Sequence, residues 1–176
     1  MVNTVLIIEG KPGQLRQGFI SLFKKKLKGK MPKIIMGSNN TDTIEELSRK
    51  SQEPKKRFAL IDLDAPKEKK QNRIIELKIP EKHKKSVYFM IQEMEAWFLS
   101  QPEILDAYFR MDISKKIPKR NPEDIEKPSQ KLSEYTDKKY HKVNDAIKLL
   151  ELLDVNKLEK SFSDFSLLIK ALIEDY

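Results

Sequence analysis

Short apolar runs that are rich in β-branched residues, and separated by stretches of helical spacing, constrain this chain more than any other feature. "TVLIIEG" (residues 4–10) is such a run, closed by a glycine, and suits a strand buried on both faces. After Pro12 and Gly13, the residues Leu15, Phe19, Leu22, Phe23 and Leu27 recur at helical spacing. "KIIMG" (residues 33–37) predicts a second strand, and Thr41 or Asp42 a cap for the helix after it. "FALID" (residues 58–62) and "SVYFMIQ" (residues 86–92) predict a third strand and a fourth. Strands alternating with helices predict an α/β fold: about four strands, mainly parallel, flanked by helices.

Beyond Trp97 the pattern turns helical. Residues 1–100 read as the α/β core and 101–176 as a helical extension packed on it within one domain. Residues 115–132, with three prolines, read as a long connection. The tail from His141 reads as two amphipathic helices, with breaks at 154–156 and 161–164.

The acids that follow the strands raise the functional question. Glu9 ends the first run, and Asp62 and Asp64 end the third. In a parallel sheet, ligands bind at the carboxyl ends of the strands. Extended backbone continuing past Asp62 would put Asp62 and Asp64 on one face. Carboxylates converging there would repel one another unless a cation lay between them, and Mg²⁺ or Mn²⁺ prefers such oxygen ligands. In "IQEMEAWFL", the residues Ile91, Met94, Trp97, Phe98 and Leu99 mark an apolar arc; Glu95 falls inside it, whereas Glu93 points away. A buried acid needs a partner, either an ion or a lysine from the tail. Trp97 reads as core.

Composition removes several chemistries. Without cysteine there is no disulfide, thiolate metal site or cysteine nucleophile, and only His83 and His141 offer imidazole. "EGKPGQ" lacks the Gly-Lys-Ser/Thr ending of a Walker loop, and no Gly-x-Ser-x-Gly elbow occurs. No run of eighteen apolar residues and no leader pattern is present, which predicts a cytoplasmic protein away from membranes. The formal charge is +8, and every ionisable side chain from Lys11 to Lys33 is basic. Such a face suits a polyanion, nucleic acid above all.

Glu9-Gly10 after the first strand, the Asp62-x-Asp64 pair and the basic surface together resemble the Toprim fold of topoisomerases, primases and overcoming-lysogenization-defect nucleases. "EMEAWFLSQPEIL", "KPSQKL", "YHK" and "FSDFSLLIKAL" are similar to the Toprim-like family known as domain of unknown function 4276, over nearly the whole chain. The resemblance implies a Mg²⁺- or Mn²⁺-dependent phosphodiesterase acting on nucleic acid, in defence against foreign DNA beside a partner ATPase. It makes Glu9 the proton-transfer or metal-binding glutamate, Asp62 and Asp64 metal ligands, and Glu95 a further catalytic or metal-binding acid. Lys11, Arg16, Lys131 and Lys142 become phosphate contacts. Related nucleases often carry a second glutamate four residues after the first; Gly13 stands there in this chain. That departure keeps open a non-catalytic binding module on the same scaffold. A receiver-like signalling domain also places acids after strands one and three, but it needs adjacent acids where Gly10 stands and a Ser or Thr where the fourth strand gives "YFMIQE".

Overall fold

The computed structural model describes residues 4–10, 13–49 and 56–174. Four strands, β1 (Thr4–Glu9), β2 (Lys33–Gly37), β3 (Lys56–Asp62) and β4 (Val87–Met90), form one all-parallel sheet in the order β2-β1-β3-β4. The fourth strand is shorter than its apolar run, because Gln92 takes a left-handed backbone (φ 61°) and turns the chain out of the sheet. The register sets Glu9 beside Gly37 and Asp62 beside Met90, so both acids stand at the carboxyl rim.

Alternation along the strands divides the interior in two. Leu6, Ile8, Phe58, Leu60 and Met90 face a large core under α1 (Arg16–Leu27) and the C-terminal helices. Val5, Ile7, Ala59, Ile61 and Phe89 face a smaller one that includes Ile44 and Leu47 of α2 (Asn40–Ser48) and Ile74 of α3 (Lys70–Glu76). The cap of α2 is Asn39, not Thr41 or Asp42: its side chain accepts the Asp42 N–H at 2.9 Å. The helix therefore starts at Asn40, directly above the sheet rim. Gly37 is required beneath it, because Thr43 occupies the space a Cβ would need.

The remaining helices are α4 (Glu95–Leu99), α5 (Pro102–Phe109), α6 (Pro128–Tyr135), α7 (Asn144–Leu152), α8 (Val155–Ser161) and α9 (Ser163–Glu174). Residues 115–132 are more than a connection. Pro128 opens α6 from its first turn, where a missing N–H costs nothing. The tail holds three helices, because the breaks at Leu153–Asp154 and Phe162 each end one, and Asp154 caps the next by accepting from Asn156 and Lys157 N–H. Trp97 is fully buried, edge-on to Phe165 at 5.0 Å, and so ties α4 to α9.

Gly18 lets α1 and α7 touch: a Cβ there would lie 3.1 Å from the backbone of Ile147. On the sheet's other edge, buried Asp164 of α9 accepts the Phe89 N–H of β4 at 2.9 Å and pairs with Lys70 at 2.7 Å. An edge strand that would expose its N–H is thereby closed by a side chain.

Candidate functional site

In the order 2-1-3-4 the chain leaves β1 toward β2 on one side and toward β3 on the other. The crevice outside β1 and β3 is the topological switch point, where open α/β sheets place ligands. A cavity of about 280 Å³ opens there, with Glu9, Asp62 and Lys142 among its lining residues. Gly10 forms part of its floor; a Cβ there would crowd Met36 and Leu15 at 3.1 and 3.3 Å.

The acids do not converge on one face. The strand alternation that sends Ile7 and Ile61 one way and Ile8 and Leu60 the other carries Glu9 to the α2–α3 side and Asp62 to the α1–α4 side. They meet only across the rim, where the Asp62 backbone N–H donates to Glu9 Oε2 at 3.0 Å. Asp64 does not continue the strand. Its left-handed backbone (φ 54°) turns the side chain outward, half-exposed, to Arg73 of α3 at 3.2 Å. The shared face of Asp62 and Asp64 expected from extended geometry is therefore absent.

Two polar groups result. On the Glu9 side, the Asn40 amide, oriented to satisfy both neighbours, donates to Glu9 Oε1 at 3.1 Å and accepts from Arg73 Nη2 at 2.7 Å. On the Asp62 side, Asp62 Oδ1 accepts the Met94 N–H at 2.9 Å. Behind it, fully buried Glu95 accepts from Tyr140 Oη at 3.1 Å and pairs with Lys142 Nζ at 3.4 Å, both through Oε1. Glu95 Oε2 has no partner among the described residues. Glu93 reaches the N-terminus of α6, accepting the Ser129 N–H at 2.8 Å.

Negative charge exceeds what these partners neutralise. Burial pushes the Asp62 carboxyl well above the usual aspartate range, and neighbouring Glu95 and Glu9 push it further; Lys142 opposes them. Burial also raises Glu9, against the hydrogen bond from the Asp62 N–H, and Asp64 adds to the rise. Asp64 is raised by its own burial, with Arg73 opposing. For Lys142, burial alone would lower the ammonium, but Glu95 and Asp62 outweigh it and hold it above the ordinary lysine value.

As donors, Glu9 and Asp62 offer the anionic oxygens that a hard divalent cation takes. As a cage the rim does not close, since no three acidic or histidine side chains among the described residues gather as metal ligands would.

Of the described basic residues expected to meet phosphate, only Lys142 lines the cavity. Arg16 donates from Nε to the Ile34 carbonyl of edge strand β2 at 3.1 Å, and Lys131 pairs with Glu134 on α6 at 2.8 Å. Lys11 lies outside the described residues. Asn40, Arg73 and Tyr140 went unread in the sequence because neutral or basic residues on distant segments carry no acid signature; the Asn39 cap, which starts α2 at the rim, was the one available signal for Asn40.

A family model matches residues 12–173. The chain belongs to the family described as a domain of unknown function, DUF4276. The DUF4276 match takes in Asp62, Asp64, Glu95, Tyr140 and Lys142, whereas Glu9 stands just ahead of it. No curated protein and no solved structure matches this DUF4276 chain. No helix among the described residues is long and apolar enough to cross a membrane.

Proposed function

We propose that this protein is a Mg²⁺- or Mn²⁺-dependent phosphodiesterase of the Toprim type, a nuclease, with its site at the β1–β3 rim. The observation that carries the reading is the surplus of carboxylate at the switch-point cavity: Asp62 lines it with Glu9 across the rim and Glu95 behind, and Lys142 is the one cation opposing them among the described lining residues. Charge of that kind is costly unless a cation is bound.

Glu9 and Asp62, which line the cavity, would hold the ion. When bound, such an ion polarises a phosphoryl oxygen and lowers the pKa of bound water. The remaining work falls to the chain. The Met94 N–H fixes Asp62, and Asn40 fixes Glu9, so neither carboxylate has to be ordered at the moment of reaction. Glu9, whose carboxylate burial makes more basic, would take the proton from the attacking water through an oxygen the ion leaves free, as the phosphorus–oxygen bond to the leaving strand breaks. Lys142 reaches over the cavity and supplies a positive charge to the phosphate, while Glu95 and Tyr140 behind it hold that ammonium in place. Glu95 is thus a positioning residue. Asp64 tethers Arg73 at the outer rim. Defence against foreign DNA beside a partner ATPase fits this chemistry.

A second reading, a non-catalytic module that holds nucleic acid on its basic surface, is favoured by one observation: Glu9 and Asp62 leave the rim on opposite faces. A receiver-like domain fits less well, because no Ser or Thr follows β4 and Asp62 is already bonded to Met94. Cleavage of single- and double-stranded DNA and RNA, with Mn²⁺ and with chelator, separates the readings. Cleavage that needs Mn²⁺ and disappears in Asp62→Ala is the expected result; metal-independent, salt-sensitive binding without cleavage selects the module.

A further inference from the structure

The rim cavity is walled as well as acidic, and its walls suit something other than a phosphate chain. Leu15, Met90 and Met94, all buried, line it together with half-buried Val143. Gln14 and Ser38, both exposed, add an amide and a hydroxyl suited to a heterocycle edge. Lys142 is the one cation among the lining residues described.

We propose, resting on the nuclease reading above, that the cavity admits one unpaired nucleotide, so that the substrate is single-stranded nucleic acid or a frayed strand end rather than an intact duplex. Size argues first. At about 280 Å³ the cavity lies just below the range of sites that hold small molecules, roughly 300–1,000 Å³. A duplex, whose major groove alone is about 12 Å wide, cannot enter, and a paired base cannot reach the acids without leaving its stack.

The wall argues second. Lys142 and Val143 line the cavity, and the segment that carries them is tied down: Tyr140 bonds Glu95 at 3.1 Å, Lys142 pairs with it at 3.4 Å, and the His141 N–H donates to Asp145 at 2.6 Å. Lining chemistry argues third. Methionine and leucine side chains give a base face an apolar, polarisable surface, which serves any base and so implies little sequence preference. The phosphate then lies toward Lys142 and the acids.

Fluorescence polarisation with Ca²⁺ in place of Mn²⁺ tests the proposal, using a labelled single strand of about 12 nucleotides and the same sequence closed into a hairpin duplex. The single strand should bind at least about tenfold tighter. Val143→Trp, which fills the cavity from its half-buried wall, should remove most of that preference while the heat of Mn²⁺ binding persists. Equal or tighter duplex binding overturns the proposal. So does a Val143→Trp protein that binds Mn²⁺ and retains the full single-strand preference. Mn²⁺ binding without affinity for either strand overturns the nucleotide pocket and leaves the metal site standing, whereas absent Mn²⁺ binding removes the reading beneath it.

Discussion

At the residue scale, Asp62 decides the electrostatics of the rim. Its carboxyl is held well above the 3.8 of an unfolded aspartate, so over that interval the folded chain binds more protons than the unfolded one. Stability without metal must therefore fall as pH rises from about 4 through the folded pKa, and the raised Glu9 and Asp64 act in the same direction. Asp62→Asn keeps an acceptor for the Met94 N–H and removes the charge. In chelator at pH 7 it should melt a few degrees above wild type and lose most of the pH slope, with Mn²⁺ stabilising wild type alone; thermal melts across pH 4–8 measure both. Glu95→Ala should do the opposite, since it strips Tyr140 and Lys142 of a buried acceptor: a loss of about 2–4 kcal/mol, read by urea unfolding. The strand-end acids were legible in the sequence because an apolar run that ends in a carboxylate announces both its strand and its exit. The parting of Asp64 from Asp62 was not, because it depends on where extended backbone stops, and the left-handed turn at Asp64 sets that.

At the scale of elements, two residues hold the frame that positions the rim. Gly18 sets the approach of α1, whose N-cap Leu15 lines the cavity, against α7, which follows Lys142 and Val143. Gly18→Leu should push those helices apart at a cost of about 1–3 kcal/mol, seen as a Tm lower by several degrees. Asp164 closes the β4 edge from α9. Asp164→Ala leaves Lys70 and the Phe89 N–H unsatisfied and should cost about 3 kcal/mol, with faster amide exchange along β4 as its local sign. The parallel strands and α1 could be read from hydrophobic spacing. The helix begun by Pro128 could not, because its proline-rich approach carries the signals of a loop, whereas the breaks near 154 and 162 could, although the tail reads as two helices where the structure has three.

At the scale of the molecule, a sheet of order 2-1-3-4 presents a crevice at its switch point; the C-terminal helices bury one face of that sheet, and the segment ahead of α7 brings Lys142 and Val143 to the crevice. The formal charge of the chain is +8 while the rim is acidic, and on the proposed reading the net charge would draw a polyanion in and the rim would take a cation. Single-strand affinity should accordingly fall with salt, with a log–log slope near −2 for about three neutralised phosphates. The central claim, that the β1–β3 rim holds a divalent cation, is tested most directly by calorimetric titration of Mn²⁺ into the wild type and into Asp62→Ala. Binding to the wild type at one site, lost in a folded Asp62→Ala protein, is the predicted result. Binding that survives the substitution unchanged, or no binding to the wild type, would contradict it.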